Sequence, residues 1–203
     1  MAETKFKFKK CELLPNEGSS LDEKYELLGG GPIVDYYESI DSPTVSMNIT
    51  FIDIDQVISR KGISGGEHID LTIEIDGFDD FKLTKKKHNL MLNSVRNVIT
   101  ETNKQVATLE FVSVESIINE TARVNKKFTG NVSQTVSELL VSYKKGIQTK
   151  KKLDKHDATN SYSFIGNLKR PFDTIQWLCP KSQSSAKNFG FLFYENFDGY
   201  HFK

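Results

Sequence analysis

The sequence predicts an α+β protein that is mainly β, with a small antiparallel β-barrel followed by a mixed α/β domain. Apolar and polar residues alternate along 44–51 and again along 69–75, which is typical of half-buried β-strands. After Ile117 the apolar residues recur at helical spacing instead. We therefore predict three parts, which are an N-terminal arm and linker at 1–32, a β-barrel domain at 33–116 and an α/β domain at 117–203.

The arm begins with a short predicted strand, because Phe6 and Phe8 alternate with lysines. The residues Asn16-Glu-Gly-Ser-Ser20 are typical of a turn, and Gly29-Gly-Gly-Pro32 interrupts any regular element. A glycine-rich stretch can bind phosphate when Gly-Lys-Ser/Thr and a helix follow it. Neither follows here, so the sequence favours a flexible joint over a phosphate-binding loop.

The predicted barrel contains five to six antiparallel strands with turns every 8–12 residues, as small barrels do. Its strands are predicted at Val45–Phe51, Ile69–Ile75, Phe78–Lys85, Leu90–Thr100 and Val106–Ser116. Asp76-Gly77 predicts a hairpin turn, and Thr102-Asn103 predicts a tight connection. One or two helical turns are expected within Asp53–Arg60.

The alternation also predicts which barrel residues face the interior. These are Ile49, Phe51, Leu71, Ile73, Leu109 and Phe111. In the last strand Leu109 and Phe111 lie in one phase, whereas Val112 and Val114 lie in the other. This change predicts a β-bulge or a strand that is buried on both sides.

The second half predicts two helices and a hairpin. Asn131 is placed to cap a helix at 132–144, with Gln134 three residues on as in a capping box. Pro171 suits the first turn of a second helix, which Pro180 ends. The strand Lys187–Asn196, the turn Asp198-Gly199 and the return strand Tyr200–Lys203 complete this half. Because the return strand has only four residues, we expect a truncated gene or the front of a longer protein.

The composition excludes several classes of protein. Lys plus Arg and Asp plus Glu number 27 each, so the basic excess of a dedicated nucleic-acid binder is absent. No apolar run approaches the ~18 residues of a membrane helix. Because residues 1–10 contain no apolar core and no small-residue cleavage site, we expect no secretory signal. Cys11 and Cys179 are the only cysteines, and we expect free thiols in a reducing cytoplasm. The lysine-rich run 144–155 predicts a solvated connection rather than a phosphate-binding patch.

No catalytic constellation stands out. The four histidines, His68, His88, His156 and His201, match no metal-binding motif. Asp76, Asp79 and Asp80 cluster at one turn, and Glu195 and Asp198 flank another. Paired carboxylates can hydrolyse glycosides, but acidic residues are common at β-turns. We therefore expect no enzyme activity, no cofactor and no metal.

The aromatic residues near the end allow a second reading. Trp177 with Phe189, Phe191, Phe193, Tyr194 and Tyr200 could form a platform on which sugars stack. Their spacing on a helix and on alternate strand positions favours core packing instead, and we predict that Trp177 is buried.

One segment resembles a known family. Tyr162-Ser-Phe-Ile-Gly-Asn-Leu-Lys-Arg-Pro-Phe-Asp-Thr-Ile-Gln-Trp-Leu-Cys-Pro-Lys-Ser182, with Phe189-Gly-Phe-Leu-Phe-Tyr-Glu-Asn196 and Asp198-Gly-Tyr-His-Phe202, resembles the baseplate central hub proteins of contractile-tailed, T-even-like bacteriophages. Phages of marine bacteria carry the most similar versions. The resemblance covers 33–203 and is strongest in 160–203. These hubs are related to the spike proteins of type VI secretion.

The resemblance implies a structural role in the virion tail baseplate after synthesis in the host cytoplasm. Three copies of a hub, each with two similar barrels, form a ring that joins the tail tube to the spike. Only the first barrel is recognisable here. The implied partners are further copies of the chain, as a homotrimer when the protein is full length, together with tail-tube proteins and spike proteins. Neither nucleic-acid contact nor membrane insertion by this chain is implied. The alternatives are a tail-associated peptidoglycan hydrolase and a carbohydrate- or receptor-binding module.

For the contact surface we predict the exposed phases of 34–40 and 67–75 together with the arm. The candidate interface residues are Phe6, Phe8, Val34, Tyr36, His68, Asp70, Thr72 and Glu74. Edge strands and their exposed side chains are suited to association between chains.

Overall fold

The structure is a computed structural model, and it describes residues 6–18, 21–63, 65–75, 82–85, 89–101 and 104–203. The chain divides into two compact units. Met1–Tyr36 with Ser46–Val114 form the first, which we call the sheet unit. Tyr37–Val45 with Glu115–Lys203 form the second, which we call the mixed unit.

Eight described strands form one sheet. They are β1 (Phe6–Leu14), β2 (Tyr25–Glu26), β3 (Ile33–Tyr37), β4 (Ser46–Asp53), β5 (His68–Ile75), β6 (Lys82–Lys85), β7 (Leu90–Glu101) and β8 (Lys104–Ser113). The order across the sheet is β2-β1-β5-β7-β8-β4-β3, and β6 also pairs with β5. A 3₁₀ turn at Leu28–Gly30 and helix α1 at Val57–Lys61 complete this unit.

The alternation in the sequence sets the burial along β4 and β8. Met47, Ile49 and Phe51 of β4 are buried, and they lie opposite buried residues of β8 in an antiparallel register. The intervening side chains, from Ser46 to Ile52 in β4 and from Val106 to Val112 in β8, are at least partly exposed. Polar residues end the buried phase of both strands, with Asp53 in β4 and Gln105 and Ser113 in β8. Five of the six predicted interior residues are buried, and Ile73 is half-buried. The mainly β, α+β fold class is therefore confirmed.

The sheet differs from the prediction in two details. Within the described residues no strand pairing joins β3 to β2, so the sheet stays open instead of closing into a barrel. The predicted irregularity lies in β7, where the register shifts between Leu92 and Ser94 and between Arg96 and Ile99. Strand β8 keeps one buried phase from Gln105 to Ser113. The predicted turns at 76–77 and 102–103 lie outside the described residues.

The mixed unit combines short helices and strands. Its helices are α2 (Val114–Thr121, which starts in the sheet unit), α3 (Val132–Ser137) and α4 (Pro171–Leu178), with a π-helical turn at Glu138–Ser142 and a 3₁₀ turn at Cys179–Lys181. Its strands are β9 (Lys127–Phe128), β10 (Lys152–Lys155), β11 (Phe164–Ile165), β12 (Phe193–Asn196) and β13 (Gly199–Phe202). Strand β13 pairs parallel with β10 and antiparallel with β12, and β11 pairs antiparallel with β9.

Sequence signals for the two longer helical segments were partly correct. The side chain of Asn131 accepts hydrogen bonds from the N–H groups of Ser133 (2.9 Å) and Gln134 (3.3 Å), as predicted for an N-cap. The helix continues beyond Ser137 as the π-helical turn. Helix α4 begins at Pro171 as expected, and Pro180 lies in the 3₁₀ turn that follows.

Two predicted strands are wrong in extent. The strand expected at 106–116 ends at Ser113, because the chain enters α2 at Val114. The strand expected at 187–196 begins only at Phe193, and Phe189 is 66% exposed. The predicted hairpin is confirmed, with Asn196 opposite Gly199. A Cβ atom at Gly199 would lie 2.3 Å from the carbonyl oxygen of Lys152, so the β10–β13 pairing requires glycine there.

Aromatic side chains dominate the core of the mixed unit. Phe193 stacks on Tyr200 with ring centroids 5.6 Å apart, and Phe172 contacts both rings. The buried aliphatic members include Val136, Leu139, Leu140, Ile175 and Leu178. Helices α3 and α4 therefore supply one apolar face each, and the hairpin β12–β13 supplies the rings.

Candidate assembly surface

Strand β3 is one edge of the sheet. Its outward phase is Ile33 (63% exposed), Asp35 and Tyr37 (51% exposed). The predicted contact residues Val34 and Tyr36 occupy the other, half-buried phase. An edge strand with large exposed apolar side chains can pair with another chain. On β3 these exposed side chains are Ile33 and Tyr37, which are the sequence neighbours of the predicted contact residues Val34 and Tyr36.

The arm forms strand β1 rather than a detached segment. Phe6 is 64% exposed, Phe8 is half-buried, and their rings meet edge to face at 5.6 Å. Both residues pair with β5, opposite Ile75 and Ile73. In the described chain, β2 pairs with β1 only at Glu12 and Leu13, so the edge of β1 near Phe6 is open on that side.

The expectation that β5 presents an exposed phase is wrong for two of its four candidates. His68 and Thr72 are buried, whereas Asp70 and Glu74 are half-buried. Strand β5 lies inside the sheet, with β1 along one side and β6 and β7 along the other. Both of its phases are covered at its start, where the His68 ring nitrogen Nδ1 lies 3.3 Å from the carbonyl oxygen of Leu90.

A surface network of ion pairs joins β1 to its neighbours. The ammonium group of Lys10 lies 2.5 Å from Asp70 and 3.2 Å from Glu12, and Lys24 lies 2.8 Å from Glu12. The hydrogen bond from Lys24 holds the pKa of Glu12 below its ordinary value. The hydrogen bond to Asp70 raises the pKa of Lys10. We call these four side chains the surface network.

The mixed unit contains a second network, which is buried. Lys151 Nζ donates to Glu115 Oε2 and to Glu195 Oε1, each at 2.6 Å. Thr149 Oγ1 donates to Glu115 Oε1 at 2.6 Å, and the N–H of Val45 donates to Glu195 Oε2 at 3.2 Å. We call these five residues the buried network. It fixes residues 45 and 115, which are the points where the chain leaves and re-enters the mixed unit.

The buried network explains what Glu195 does. Its side chain is 2% exposed, and each carboxylate oxygen is held by a donor. Asp198, with which the sequence paired it, is exposed. Glu195 is thus arranged to hold the unit together. Asp76, Asp79, Asp80 and His88 lie outside the described residues.

The described residues contain no group of three or more His, Cys, Asp or Glu side chains that could hold a metal ion. None of their helices has the length and apolar character needed to cross a bilayer.

The cysteines are free thiols, as predicted, and both are buried. Burial raises the pKa of Cys11 and that of Cys179 to about 12. A thiol with so high a pKa is a poor nucleophile at neutral pH.

Trp177 is half-buried, not fully buried as predicted. It packs against the core cluster of the mixed unit and also lines a cleft. Its indole meets Tyr162 and Phe164 edge to face, with ring centroids 5.5 and 5.3 Å away. The helical stripe Phe172, Ile175 and Leu178 is buried as expected, and Trp177 lies beside it.

Solved structures of two phage tail proteins have a fold similar to that of this chain. A tail protein of Neisseria meningitidis MC58 has 10% identical residues and a TM-score of 0.55, and the match covers 97% of this chain and 51% of that one. The 43 kDa tail protein of prophage MuSo2 from Shewanella oneidensis has 10% identity and a TM-score of 0.53, over 96% and 54% of the two chains. The chain has the fold of phage tail proteins. The resemblance seen in residues 160–203 is thereby confirmed at the level of fold.

A third solved structure with a similar fold comes from a protein secretion system. It is an Escherichia coli component of the type VI secretion system, described as similar to two T4 bacteriophage tail proteins. It has 10% identity and a TM-score of 0.52, over 98% of this chain and 48% of its own. The chain thus spans about half the length of these three proteins. No protein-family model and no curated protein matches the sequence.

Proposed function

We propose that this chain is a structural component of a phage tail baseplate hub. In this role it contributes to a homotrimeric ring that joins the tail tube to the spike. The observation that carries the proposal is the shared fold with two phage tail proteins and a type VI secretion component over nearly the whole chain. The motif-level resemblance of residues 160–203 to hub proteins supports it independently.

The features of the sheet unit suit such a role. The edge of the eight-stranded sheet at β3 carries Ile33 and Tyr37, and the edge of β1 near Phe6 is also open in the described chain. Backbone pairing along an edge strand links subunits without a pocket or cofactor. In a polypeptide with a second sheet unit of this kind, three chains would present six similar units, which fits a sixfold tube.

Light scattering at tens of micromolar tests the assembly directly. It is measured on this chain and, if the complete gene product is longer, on that product as well. We expect a mass that rises toward three chains. The double variant Ile33→Lys/Tyr37→Lys places charges on the β3 edge and should return the mass to one chain. Ile99→Lys is the matched control, because Ile99 is equally exposed but lies on β7, which is not a neighbour of β3 in the sheet.

Two results would contradict the proposal. One is a monomer in the complete gene product at these concentrations. The other is peptidoglycan hydrolysis in a zymogram that is lost on replacing Asp79 or Asp80 in a chain that remains folded. The second result would favour a tail-associated hydrolase, the alternative function that the turn carboxylates suggest.

A further inference from the structure

The mixed unit has a cleft of about 520 Å³ beside Trp177. It is bounded by β9, β11, the loop after β11 and α4. The lining residues that matter here are Lys127, Ser163, Ile165, Lys169 and Trp177. We call it the Trp177 cleft.

An aromatic cluster forms the base of the Trp177 cleft. Phe164 lines it and meets the Trp177 indole at 5.3 Å, and on its other side Phe164 stacks on buried Phe128 at 5.2 Å. The base is therefore tied to the core and has little freedom to collapse. It offers a preformed apolar surface, which lowers the entropic cost of binding.

The loop that follows β11 is held rigidly. The N–H of Leu168 donates to the carbonyl of Val124 at 2.8 Å, and the N–H of Val124 donates to Lys169 at 2.9 Å. A Cβ atom at Gly166 would lie 2.4 Å from the Val124 side chain, so only glycine fits there. Leu168 itself has φ +58° and is 63% exposed. Leu168 therefore adopts an unfavourable backbone conformation while its apolar side chain faces solvent.

The charge of the lining is one-sided. Lys127 and Lys169 both line the cleft, no carboxylate does, and within the described residues neither lysine forms an ion pair. Lys169 Nζ lies 5.4 Å from the Trp177 ring centroid. The nearby cations Lys126 and Arg170 are already paired with carboxylates. The cleft therefore complements a ligand that carries negative charge.

Strand β11 presents an unpaired edge to this cleft. Among the described strands it pairs only with β9, and the N–H groups of Tyr162 and Gly166 donate toward that side at 2.9 and 3.0 Å. Backbone groups alternate in direction along an antiparallel strand. Those of Ser163 and Ile165 consequently point away from β9, and both residues line the cleft.

We propose that the Trp177 cleft binds an extended segment of a partner polypeptide in which carboxylates flank an apolar side chain. The segment adds to β11 as a third strand and hydrogen-bonds to the backbone of Ser163 and Ile165. Its carboxylates pair with Lys127 and Lys169, and its apolar side chain packs against the aromatic base. The site belongs wholly to the mixed unit, so its occupation does not depend on ring formation.

Stacking of a sugar on Trp177 fits the geometry less well. Lys181 Nζ lies 4.2 Å from the ring centroid and donates to the Trp177 carbonyl at 3.0 Å. Lys169 also approaches the ring, and Tyr162 and Phe164 form T-shaped contacts with it. Two cations thus already compete for the indole face on which a sugar would stack.

The test uses the fluorescence of Trp177, which is the only tryptophan of the chain. The probe is the peptide acetyl-Gly-Asp-Val-Leu-Val-Asp-Gly-amide, titrated into the whole chain. We expect a saturable change in emission. Replacing both Asp residues of the probe by Asn should weaken binding about tenfold. Replacing them by Lys should abolish it, and N-methylation of alternate backbone nitrogens should do the same.

Variants of the chain assign the binding to the cleft. Lys127→Gln/Lys169→Gln should weaken binding of the acidic peptide about tenfold or more and leave the circular dichroism spectrum unchanged. Lys150→Gln is the matched control, because Lys150 is exposed and lies outside the cleft. It should bind the peptide as the parent chain does.

Three outcomes would overturn the proposal. The first is no response of Trp177 to the acidic peptide up to millimolar concentration. The second is equal binding of heparin or a single-stranded oligonucleotide with the same dependence on Lys127 and Lys169, which would define a general polyanion site. The third is a change in emission with chain concentration alone, which would assign the cleft to a second copy of the chain.

Discussion

The surface network and the buried network contain the same kinds of side chain but stand in different surroundings. In the surface network the carboxylate of Glu12 is buried, but its partners Lys10 and Lys24 keep much of their side chains in water. In the buried network, Lys151, Glu115 and Glu195 are almost wholly enclosed. Exposed ion pairs contribute little to stability, whereas breaking a buried pair leaves an uncompensated charge. The number of ion pairs is therefore a poor guide to what holds this chain together.

Among these variants, replacement of Lys151 should cause the largest loss in the free energy of unfolding. Lys151→Met leaves two buried carboxylates without their shared cation, and we expect the free energy of unfolding to fall by about 3–5 kcal/mol. Urea unfolding followed by far-UV circular dichroism measures it. Lys150→Met, one residue away and exposed, should change it by less than about 0.5 kcal/mol. Equal effects of the two variants would refute the distinction between the networks.

A smaller loss is expected at the hydroxyl of Thr149. Thr149→Val keeps the shape of the side chain but removes the hydroxyl that donates to buried Glu115 Oε1, which should cost about 1–3 kcal/mol. Thr149→Ser retains the hydroxyl and serves as the control. If the valine variant is as stable as the serine variant in urea unfolding, this hydrogen bond contributes nothing to stability.

Acid should weaken the surface network by about 1 kcal/mol or less. The pKa of Glu12 is lowered in the folded chain, so its contribution is complete above the ordinary value of 4.5 and is lost as pH falls through the lower, folded value. Glu12→Gln removes this dependence. The check is the difference in stability between the parent chain and Glu12→Gln from pH 7 to pH 3, which should shrink toward the acid end.

The smallest effect is expected at Lys24, whose side chain is the most exposed of the surface network. Lys24→Met should lower the free energy of unfolding by less than about 1 kcal/mol. In 1 M NaCl, where the screening length is about 3 Å, even this difference should shrink. A loss that persists in high salt would show that Lys24 acts through packing of its aliphatic stem.

Sequence patterns predicted the sheet unit better than the mixed unit. Alternation located β4 and β5, because the contacts that bury one phase recur every second residue. The end of β8 was missed, because Val112 and Val114 fit a strand as well as a helix start. In the mixed unit, Asn131, Pro171 and the turn Asp198-Gly199 gave local signals of comparable strength, but no long alternation linked them.

The charged and aromatic sites were harder to predict because their partners are distant in sequence. Lys151 lies in a lysine-rich run that is typical of a solvated connection, and only the fold brings it to Glu115 and Glu195. The β5 candidates were placed on an exposed face, but alternation cannot tell which strands become central. Trp177 was assigned to the core from helical spacing, which does not locate the boundary between a core and a cleft.

The hydrogen bond from the N–H of Val45 to Glu195 joins residues that are 150 positions apart in sequence. This separation determines how late the bond can form during synthesis. At about 5–20 residues per second, the amide of Val45 emerges from the ribosome roughly 8–30 s before its acceptor does. Within that interval the ribosome releases strands β4, β5, β7 and β8. Each of them can then pair with its neighbouring strands in the sheet. Until Glu195 emerges, the N–H of Val45 must therefore stay hydrated beside strand β4, so the buried network closes only after the strands of the sheet have been synthesised.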